Sequence, residues 1–273
     1  CPLQWRAGRC HRAGKGLGQS YRECPPLLHA QTRLYNQKKI NTPDSECDVS
    51  GPPNEKMSGT MIFNLSAADL AALLCSKVCH DIISPVGAIN NGLELLEEGG
   101  ADEDAMNLIK QSARTASARL QFARIAFGAA GSAGVQIDTG DAQNVANQYM
   151  KGEKAELSWE GQRVLLPKNK VKLILNLLLV ANAAIPRGGK LAVKLENPEA
   201  DVRISIRVSG PMLRVPPKFM EMHSEGKSSE PIDAHSIQAY YTLLLASESG
   251  MEISTRATSD DIEFAATNKA AAA

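Results

Sequence analysis

The sequence predicts an α+β protein in which a two-helix hairpin precedes a sandwich with helices on one face of a mixed sheet. Apolar residues recur every three or four positions between residues 66 and 127, with an interruption at Gly99-Gly100. Beyond residue 134, short segments typical of strands alternate with longer helical ones. We therefore expect a hairpin at 57–128, a linker at 129–134, a sandwich at 135–267 and a flexible tail at 268–273.

The composition excludes several classes of protein. The 273 residues include 30 Lys and Arg against 30 Asp and Glu, so the formal net charge is zero and gives no sign of nucleic-acid binding. The longest apolar run, residues 171–185, is interrupted by Lys172, Asn176 and Asn182 and is too polar for a membrane helix. We expect a cytoplasmic protein that does not enter the membrane.

Residues 1–56 differ from the rest of the chain. They hold four of the six cysteines and nine Lys and Arg against five Asp and Glu, and they lack apolar periodicity. No apolar core of a signal peptide follows their basic residues. We predict a disordered extension, or an upstream start set wrongly, because Met57-Ser58-Gly59 would make an ordinary beginning.

The first helix is predicted from Ser66, as N-cap, to about Glu98. One face is apolar and comprises Leu70, Leu74, Val78, Ile82, Pro85, Ile89, Leu93 and Leu96. Pro85 cannot donate a backbone hydrogen bond, so it either bends this helix or begins a second one.

The second helix is predicted from Asp102 to about Phe127. Its apolar stripe comprises Met106, Ile109, Ala113, Ala116, Leu120, Ala123 and Phe127. A single hairpin buries only one side of each stripe, so we expect a homodimer in which two hairpins form a four-helix bundle. Four cations of this helix either dock an acidic partner or form a solvated face: Lys110, Arg114, Arg119 and Arg124.

His80 lies opposite the apolar face of the first helix. Its helical neighbours are small or polar: Lys77, Ser84, Gly87, Asn90, Asn91 and Glu94. A histidine held out to solvent in such surroundings is accessible to a large partner. The segment His80-Asp81-Ile82-Ile83-Ser84-Pro85 resembles the H-box of sensor histidine kinases and their relatives, in which the histidine carries a phosphoryl group. The resemblance implies that His80 is the phosphoacceptor.

Neighbouring residues fit that chemistry. Asp81 is placed to accept a hydrogen bond from one ring N–H of His80 and so to fix its tautomer, although it can also be an ordinary solvated carboxylate. Lys77 would neutralise phosphoryl charge, Ser84 would contact a partner loop and Ile83 would supply an apolar contact. Gly87 keeps the surface low, and we place it with Asn91 in the same partner-binding surface.

The sandwich begins after the linker. Its strands are predicted at Val135–Thr139, Ala155–Trp159, Lys190–Glu196, Val202–Ser209, Met251–Arg256 and Ile262–Ala265. Its helices are predicted at Asp141–Lys151, Lys168–Ala184 and Asp233–Ser249. His223 and His235 fit no chemical cluster and are interpreted as surface residues.

The sandwich resembles the ATP-binding domain of histidine kinases, but it departs from that pattern at each nucleotide motif. Asn176 lies in a helix like that of the N-box, whereas the expected metal asparagine four residues on is Val180. No aspartate precedes Gly210 where the adenine-reading Asp-x-Gly-x-Gly motif is expected, and no glycine-rich loop precedes the last helix. We therefore predict a degenerate ATPase-like domain that does not bind ATP.

A phosphohistidine hairpin joined to such a domain resembles the ChpT-type histidine phosphotransferases over about Met57–Ala266. The resemblance implies a homodimer that relays phosphoryl groups without ATP hydrolysis. Its donor would be the receiver of a hybrid kinase (CckA-like), and its acceptors would be response-regulator receivers (CtrA-like and CpdR-like). It also implies that the receiver supplies Mg²⁺ and that this chain holds no cofactor or metal.

Three alternatives remain at this point. The chain can be a histidine kinase with diverged motifs, a non-catalytic dimeric scaffold or inhibitor of a kinase or response regulator, or a sporulation-type phosphotransferase. The last shares the same architecture and differs mainly in its partners.

Overall fold

The computed structural model describes residues 63–98, 103–128, 136–197, 201–226 and 228–269. The predictions for residues 1–56 and for the linker at 129–134 lie outside these residues. The helices are α1 (Ala67–Glu97), α2 (Glu103–Ala126), α3 (Thr139–Met150), α4 (Lys168–Ala183), α5 (Pro217–Glu225) and α6 (Ile237–Glu248). The strands are β1 (Gln136–Asp138), β2 (Ala155–Glu160), β3 (Leu165–Pro167), β4 (Gly189–Glu196), β5 (Arg203–Ser209), β6 (Met251–Ala257) and β7 (Ile262–Asn268).

Helix α1 begins at the predicted cap and passes through its proline. The Ser66 hydroxyl accepts a hydrogen bond from the Asp69 backbone N–H at 3.1 Å, which satisfies a donor that the first turn leaves unpaired. Pro85 is buried inside the helix, and the helix continues beyond it to Glu97. The alternative that Pro85 begins a second helix is therefore wrong.

The two long helices pack closely at a glycine. A Cβ added to Gly92 of α1 would lie 2.6 Å from Cγ1 of Ile109 on α2, so glycine is needed for this approach. Ala105 and Ala116 are buried along the same interface. Much of the predicted apolar face is not covered within one chain, because Leu93 is 46% exposed and Leu120 is 51% exposed.

Five strands form a mixed sheet in the order β2-β4-β5-β7-β6. The pair β2–β4 is parallel and the other three pairs are antiparallel. In β4, Leu191, Val193 and Leu195 are buried while the residues between them are exposed, so one face of the sheet meets the core. Helices α3, α4 and α6 contact the sheet. The predicted α+β class, with a hairpin followed by a sandwich, is confirmed.

The structure shifts the boundaries of some predicted elements and adds two elements that were not predicted. Strand β7 pairs through Asn268, opposite Met251, so Asn268 belongs to the sheet rather than to a tail. The structure adds β3, which pairs with β1 in a separate two-stranded sheet, and α5, which the sequence analysis missed. Helix α6 begins at Ile237 rather than at Asp233, because residues 233–236 form a turn closed by the Asp233 carboxylate.

The hairpin packs against the sandwich through aromatic pairs and buried hydrogen bonds. Phe122 of α2 lies 4.5 Å from Tyr149 of α3 between ring centroids, and Phe63 lies 5.5 Å from Tyr240 of α6. The Tyr240 hydroxyl also accepts the Leu65 backbone N–H at 3.2 Å. These contacts hold the segment before α1 and the last turns of α2 against the sandwich.

Within the described residues, α1 alone is long and apolar enough to cross a membrane by length and composition. The same helix carries Lys77, His80 and Asp81 near its middle and packs along α2. A helix whose apolar residues pack against other helices can have the same length and composition as a membrane-spanning helix.

Candidate functional site

His80 lies on the outer side of α1, and its side chain is 70% exposed. Ile83, also 70% exposed, and the exposed Ser84 and Asn91 lie on the turns that follow it. A Cβ added to Gly87 would meet no atom of the chain within 4 Å. Four of the five predicted partner-binding residues, namely Ile83, Ser84, Gly87 and Asn91, therefore share one open surface, whereas Pro85 is buried beneath it.

Asp81 lies close to the imidazole but bonds elsewhere. Its Oδ1 is 3.5 Å from Nδ1 of His80, longer than an ordinary hydrogen bond, while its Oδ2 makes a 2.6 Å ion pair with Lys77. Nδ1 thus faces its own helix, and Nε2 is the nitrogen left for a partner. Lys77 is tied to this carboxylate and is only 20% exposed, so it is not a free cation beside the imidazole.

Arg119 of α2 connects this turn to the sandwich. One guanidinium nitrogen donates to the Asp81 backbone carbonyl at 2.6 Å, and another lies 3.6 Å from Oε1 of Glu153. Burial, with the nearby Glu153 and Asp81 carboxylates, raises the pKa of Tyr149, which lies beneath these groups. Arg119 is therefore a structural link, whereas Lys110, Arg114 and Arg124 are exposed as predicted.

An open cleft lies beside Arg119, between α2 and the end of α3. Its volume is about 350 Å³, and its lining includes Arg114, Arg119 and Lys151. The cleft therefore presents positive charge on the α2 side of the hairpin.

The sequence analysis missed His235, which the fold brings to His80. The two imidazole rings have centroids 5.7 Å apart and planes at 77°, an edge-to-face contact. His235 belongs to the turn before α6, far from His80 in sequence, so neither spacing nor periodicity could have joined them. His235 itself is exposed, as interpreted from the sequence, whereas His223 is half-buried and its Nε2 lies 2.8 Å from the Ile253 carbonyl oxygen.

Asn176, in the helix that resembles the N-box, is completely buried. Its Nδ2 donates to the carbonyl oxygens of Ala126 at 3.0 Å and Lys172 at 2.8 Å, and its Oδ1 accepts from Nε2 of Gln238 at 2.8 Å. The bond to Ala126 joins α4 to the end of α2. The amide is therefore committed to the interior packing.

A metal site within the described ranges would need a cluster of ligating side chains. No cluster of three or more His, Cys, Asp or Glu side chains there is placed to hold a metal ion. Cys79, directly before His80, and Cys75, one turn before Cys79, are both exposed. The hydrogen bond between the Cys79 thiol and the Cys75 sulfur raises the pKa of Cys79.

An exposed histidine on a helical hairpin, joined to an α+β sandwich, is the arrangement expected of a histidine phosphotransferase, and similarity to known proteins shows that class. Residues 139–261 match the family model for the histidine phosphotransferase C-terminal domain. The chain is 75% identical over 202 residues to the protein phosphotransferase ChpT of Brucella abortus (strain 2308), an alignment that covers 74% of this chain and 97% of that protein. The chain therefore belongs to the ChpT family of protein phosphotransferases, and the predicted family and enzyme class are confirmed.

Solved structures include one of high similarity. A bacterial phosphotransferase is 71% identical, with a TM-score of 0.72 over 76% of this chain and all of that one. The histidine kinase AdeS of Acinetobacter baumannii is 11% identical, with a TM-score of 0.36 over 69% of this chain and 96% of that one. A likeness as distant as the second carries no argument about this chain.

Proposed function

We propose that His80 is the phosphoacceptor and that the chain relays phosphoryl groups between aspartates of receiver domains. The observation that carries this proposal is the exposure of His80 on α1, with Nδ1 facing Asp81 and Nε2 left for a partner. A large partner is needed to supply the phosphoryl group, because the surface around His80 is open rather than enclosed.

The transfer needs little chemistry from this chain. Nε2 of His80 attacks the phosphorus of a receiver aspartyl phosphate, so the N–P bond forms while the P–O bond breaks and its electron pair leaves with the aspartate carboxylate. The proton on Nδ1 stays on the ring, and the Asp81 carboxylate offsets the positive charge that develops there. The second transfer reverses these bond changes on another receiver. Positioning of the two groups is therefore the main contribution of the protein.

The receiver would dock on the surface formed by Ile83, Ser84, Gly87 and Asn91. Ile83 offers an apolar contact, Ser84 and Asn91 offer hydrogen bonds, and Gly87 lets a partner backbone approach closely. The positive cleft beside Arg114 and Lys151 favours an acidic partner. We infer that the receiver also brings the Mg²⁺ ion, so that this chain needs no metal.

We infer a homodimer built on the hairpin. Val86 and Leu93 of α1 and Met106 and Leu120 of α2 are exposed within one chain. Such a band of apolar side chains is costly to leave in water, and a second hairpin would cover it as a four-helix bundle. His80 lies outside this band, so dimerisation leaves it accessible.

The family resemblance supports particular partners and a location. We propose a CckA-like hybrid kinase receiver as donor, CtrA-like and CpdR-like receivers as acceptors, and the cytoplasm as the compartment. We also propose that the chain does not bind ATP, since the Asn176 amide is fully hydrogen-bonded in the interior.

The proposal is tested with a receiver domain phosphorylated with radiolabel by its kinase. Wild-type protein is expected to take up label in a base-stable, acid-labile form, whereas His80→Ala takes up none. His223→Gln is the matched control, because it removes a different histidine, and it is expected to label like the wild type. Labelling directly from ATP would favour the diverged kinase. If the wild-type protein takes up label neither from the phosphorylated receiver nor from ATP, the non-catalytic scaffold becomes the favoured function.

A further inference from the structure

We propose that His235 contacts the phosphoryl group carried by His80 and stabilises the phosphorylated state. The inference rests on the proposed role of His80 and extends it to the C-terminal sandwich, which would then supply part of the site rather than only support it. His235 has the chemistry for this role, because an imidazole N–H is a good donor to a phosphoryl oxygen.

The first observation is the edge-to-face contact with His80 at 5.7 Å between ring centroids. The contact leaves the His80 side chain 70% exposed, so His235 approaches it from one side without covering it. A phosphoryl group on Nε2 places its oxygens two bonds beyond the ring nitrogen. With the ring centroids 5.7 Å apart, a phosphoryl oxygen on His80 and a rotated His235 side chain can span the gap between the two residues.

The second observation is that the turn carrying His235 is held in place. Oδ1 of Asp233 accepts the backbone N–H groups of His235 at 3.0 Å and Ser236 at 2.7 Å, together with the Ser236 hydroxyl at 2.7 Å. These hydrogen bonds, those from Ser236 foremost, hold the pKa of Asp233 below its usual range. The turn is thus fixed by a carboxylate that stays charged.

The helix that follows this turn, α6, is anchored to the hairpin that carries His80. Gln238, the second residue of α6, donates to Asn176, and Asn176 donates to the Ala126 carbonyl at the end of α2. Tyr240 of the same helix contacts the segment before α1. Both histidines therefore belong to one connected framework, and the position of His235 beside His80 does not depend on a mobile loop.

The role differs from a packing role in what it requires of the side chain. Packing against His80 needs a flat ring, whereas contact with a phosphoryl oxygen needs a hydrogen-bond donor. We therefore compare His235→Phe, which keeps a ring and loses the donor, with His235→Gln, which loses the ring and keeps an N–H donor. His235→Ala removes both, and His223→Gln is the control.

The experiment measures the fraction of His80 phosphorylated at equilibrium with a fixed excess of phosphorylated receiver, together with the ³¹P resonance of phospho-His80. His235→Ala and His235→Phe are expected to lower the ratio of phosphorylated to free His80 by about fivefold, the effect of losing one net hydrogen bond. Both should also move the ³¹P resonance. His235→Gln should retain most of the wild-type ratio, and His223→Gln all of it.

Three results would overturn the inference, and they are distinguishable. Equal ratios in wild type, His235→Ala and His235→Phe would show that His235 does not contact the phosphoryl group, while label on His80 would leave the relay intact. Wild-type behaviour of His235→Phe with loss in His235→Gln would show a packing role instead. Absence of label from wild type would overturn both this inference and the proposed relay.

Discussion

Two helices, α1 and α4, carry segments that resemble histidine kinase motifs, but the key side chain is exposed in one and buried in the other. On α1, His80 projects into solvent and is flanked by residues that leave the surface open. On α4, Asn176 is buried and all its amide hydrogen bonds are made inside the chain. The first segment is available to another molecule, whereas the second holds α4, α6 and the end of α2 together.

The contrast shows how a motif can persist for different physical reasons. A buried amide must satisfy its donors and acceptor, so once Asn176 bonds to Gln238 and Ala126 its removal is costly even without a nucleotide. An exposed histidine contributes little to folding, so the open surroundings of His80 fit the proposed contact with a partner rather than a role in stability. Substitutions in the two regions should therefore separate activity from stability.

The largest expected effect is the loss of phosphotransfer in His80→Ala. Because the His80 side chain is mostly in water, the free energy of unfolding should change by less than about 0.5 kcal/mol. Urea unfolding and label transfer from a phosphorylated receiver measure the two quantities on the same sample. A large loss of stability would contradict the assignment of this region to function alone.

The opposite outcome is expected for Asn176→Ala. It leaves the Gln238 amide and two carbonyl groups without their partner in the interior, which should cost about 3 kcal/mol of unfolding free energy. Transfer per folded molecule should change far less than in His80→Ala. Asn182→Ala is the control, because its amide is only partly buried and bonds to Glu153 at 3.2 Å. Equal stability of both variants would show that the buried network is unimportant.

Two glycines of α1 offer a sharper form of the same comparison. Gly92→Ala places a methyl group 2.6 Å from the Ile109 side chain and should cost about 2 kcal/mol through strained packing. The Cβ introduced by Gly87→Gln meets no atom of its own chain within 4 Å, so the fold should be as stable as the wild type or slightly more, since glycine is a poor helix former.

The activities of these variants should rank the other way. Gly87→Gln should raise the receiver concentration needed for half-maximal transfer, because the new side chain occupies the docking surface. Gly92→Ala should transfer normally in its folded fraction. Normal transfer in Gly87→Gln would exclude Gly87 from the receiver interface.

The sequence predicted most of the fold because its signals are local. Apolar periodicity and the Ser66 cap placed α1 correctly to within a residue, and strict alternation placed β4 and β5. Helix α5 was missed although Pro217 at its start and Gly226 in the left-handed region at its end mark its limits. Strand β3 has no such signal, because three residues pair only through their contact with β1.

The site was predictable where it lies on one helix and unpredictable where the fold assembles it. His80, Ile83, Ser84 and Asn91 share a face of α1, which the helical period gives directly. The contact with His235 depends on how α6 packs against the hairpin. The ion pair between Lys77 and Asp81 was equally unpredictable, since the sequence allows either side chain to face His80 instead.

The smallest expected effect is the pH dependence of the stability that Asp138 contributes to the sandwich. Asp138 caps α3, and hydrogen bonds from the Gly140 backbone N–H and from Arg163 hold its pKa below its usual range. A carboxylate with a lowered pKa in the folded state stabilises the protein above its ordinary pKa, and this contribution is lost as the pH falls through the folded value. The difference in unfolding free energy between wild type and Asp138→Asn should therefore be full near neutral pH and shrink as the pH falls below the ordinary pKa of an aspartate.

That difference isolates the sandwich because Asp138 and Arg163 lie entirely within it. Fluorescence of Trp159 on β2 reports its unfolding, and the unphosphorylated protein avoids the acid lability of phosphohistidine. Glu156→Gln, an exposed acid on β2, is the matched control and should show no comparable dependence on pH. A difference that persists unchanged at low pH would mean that Asp138 acts through the shape of its cap rather than its charge.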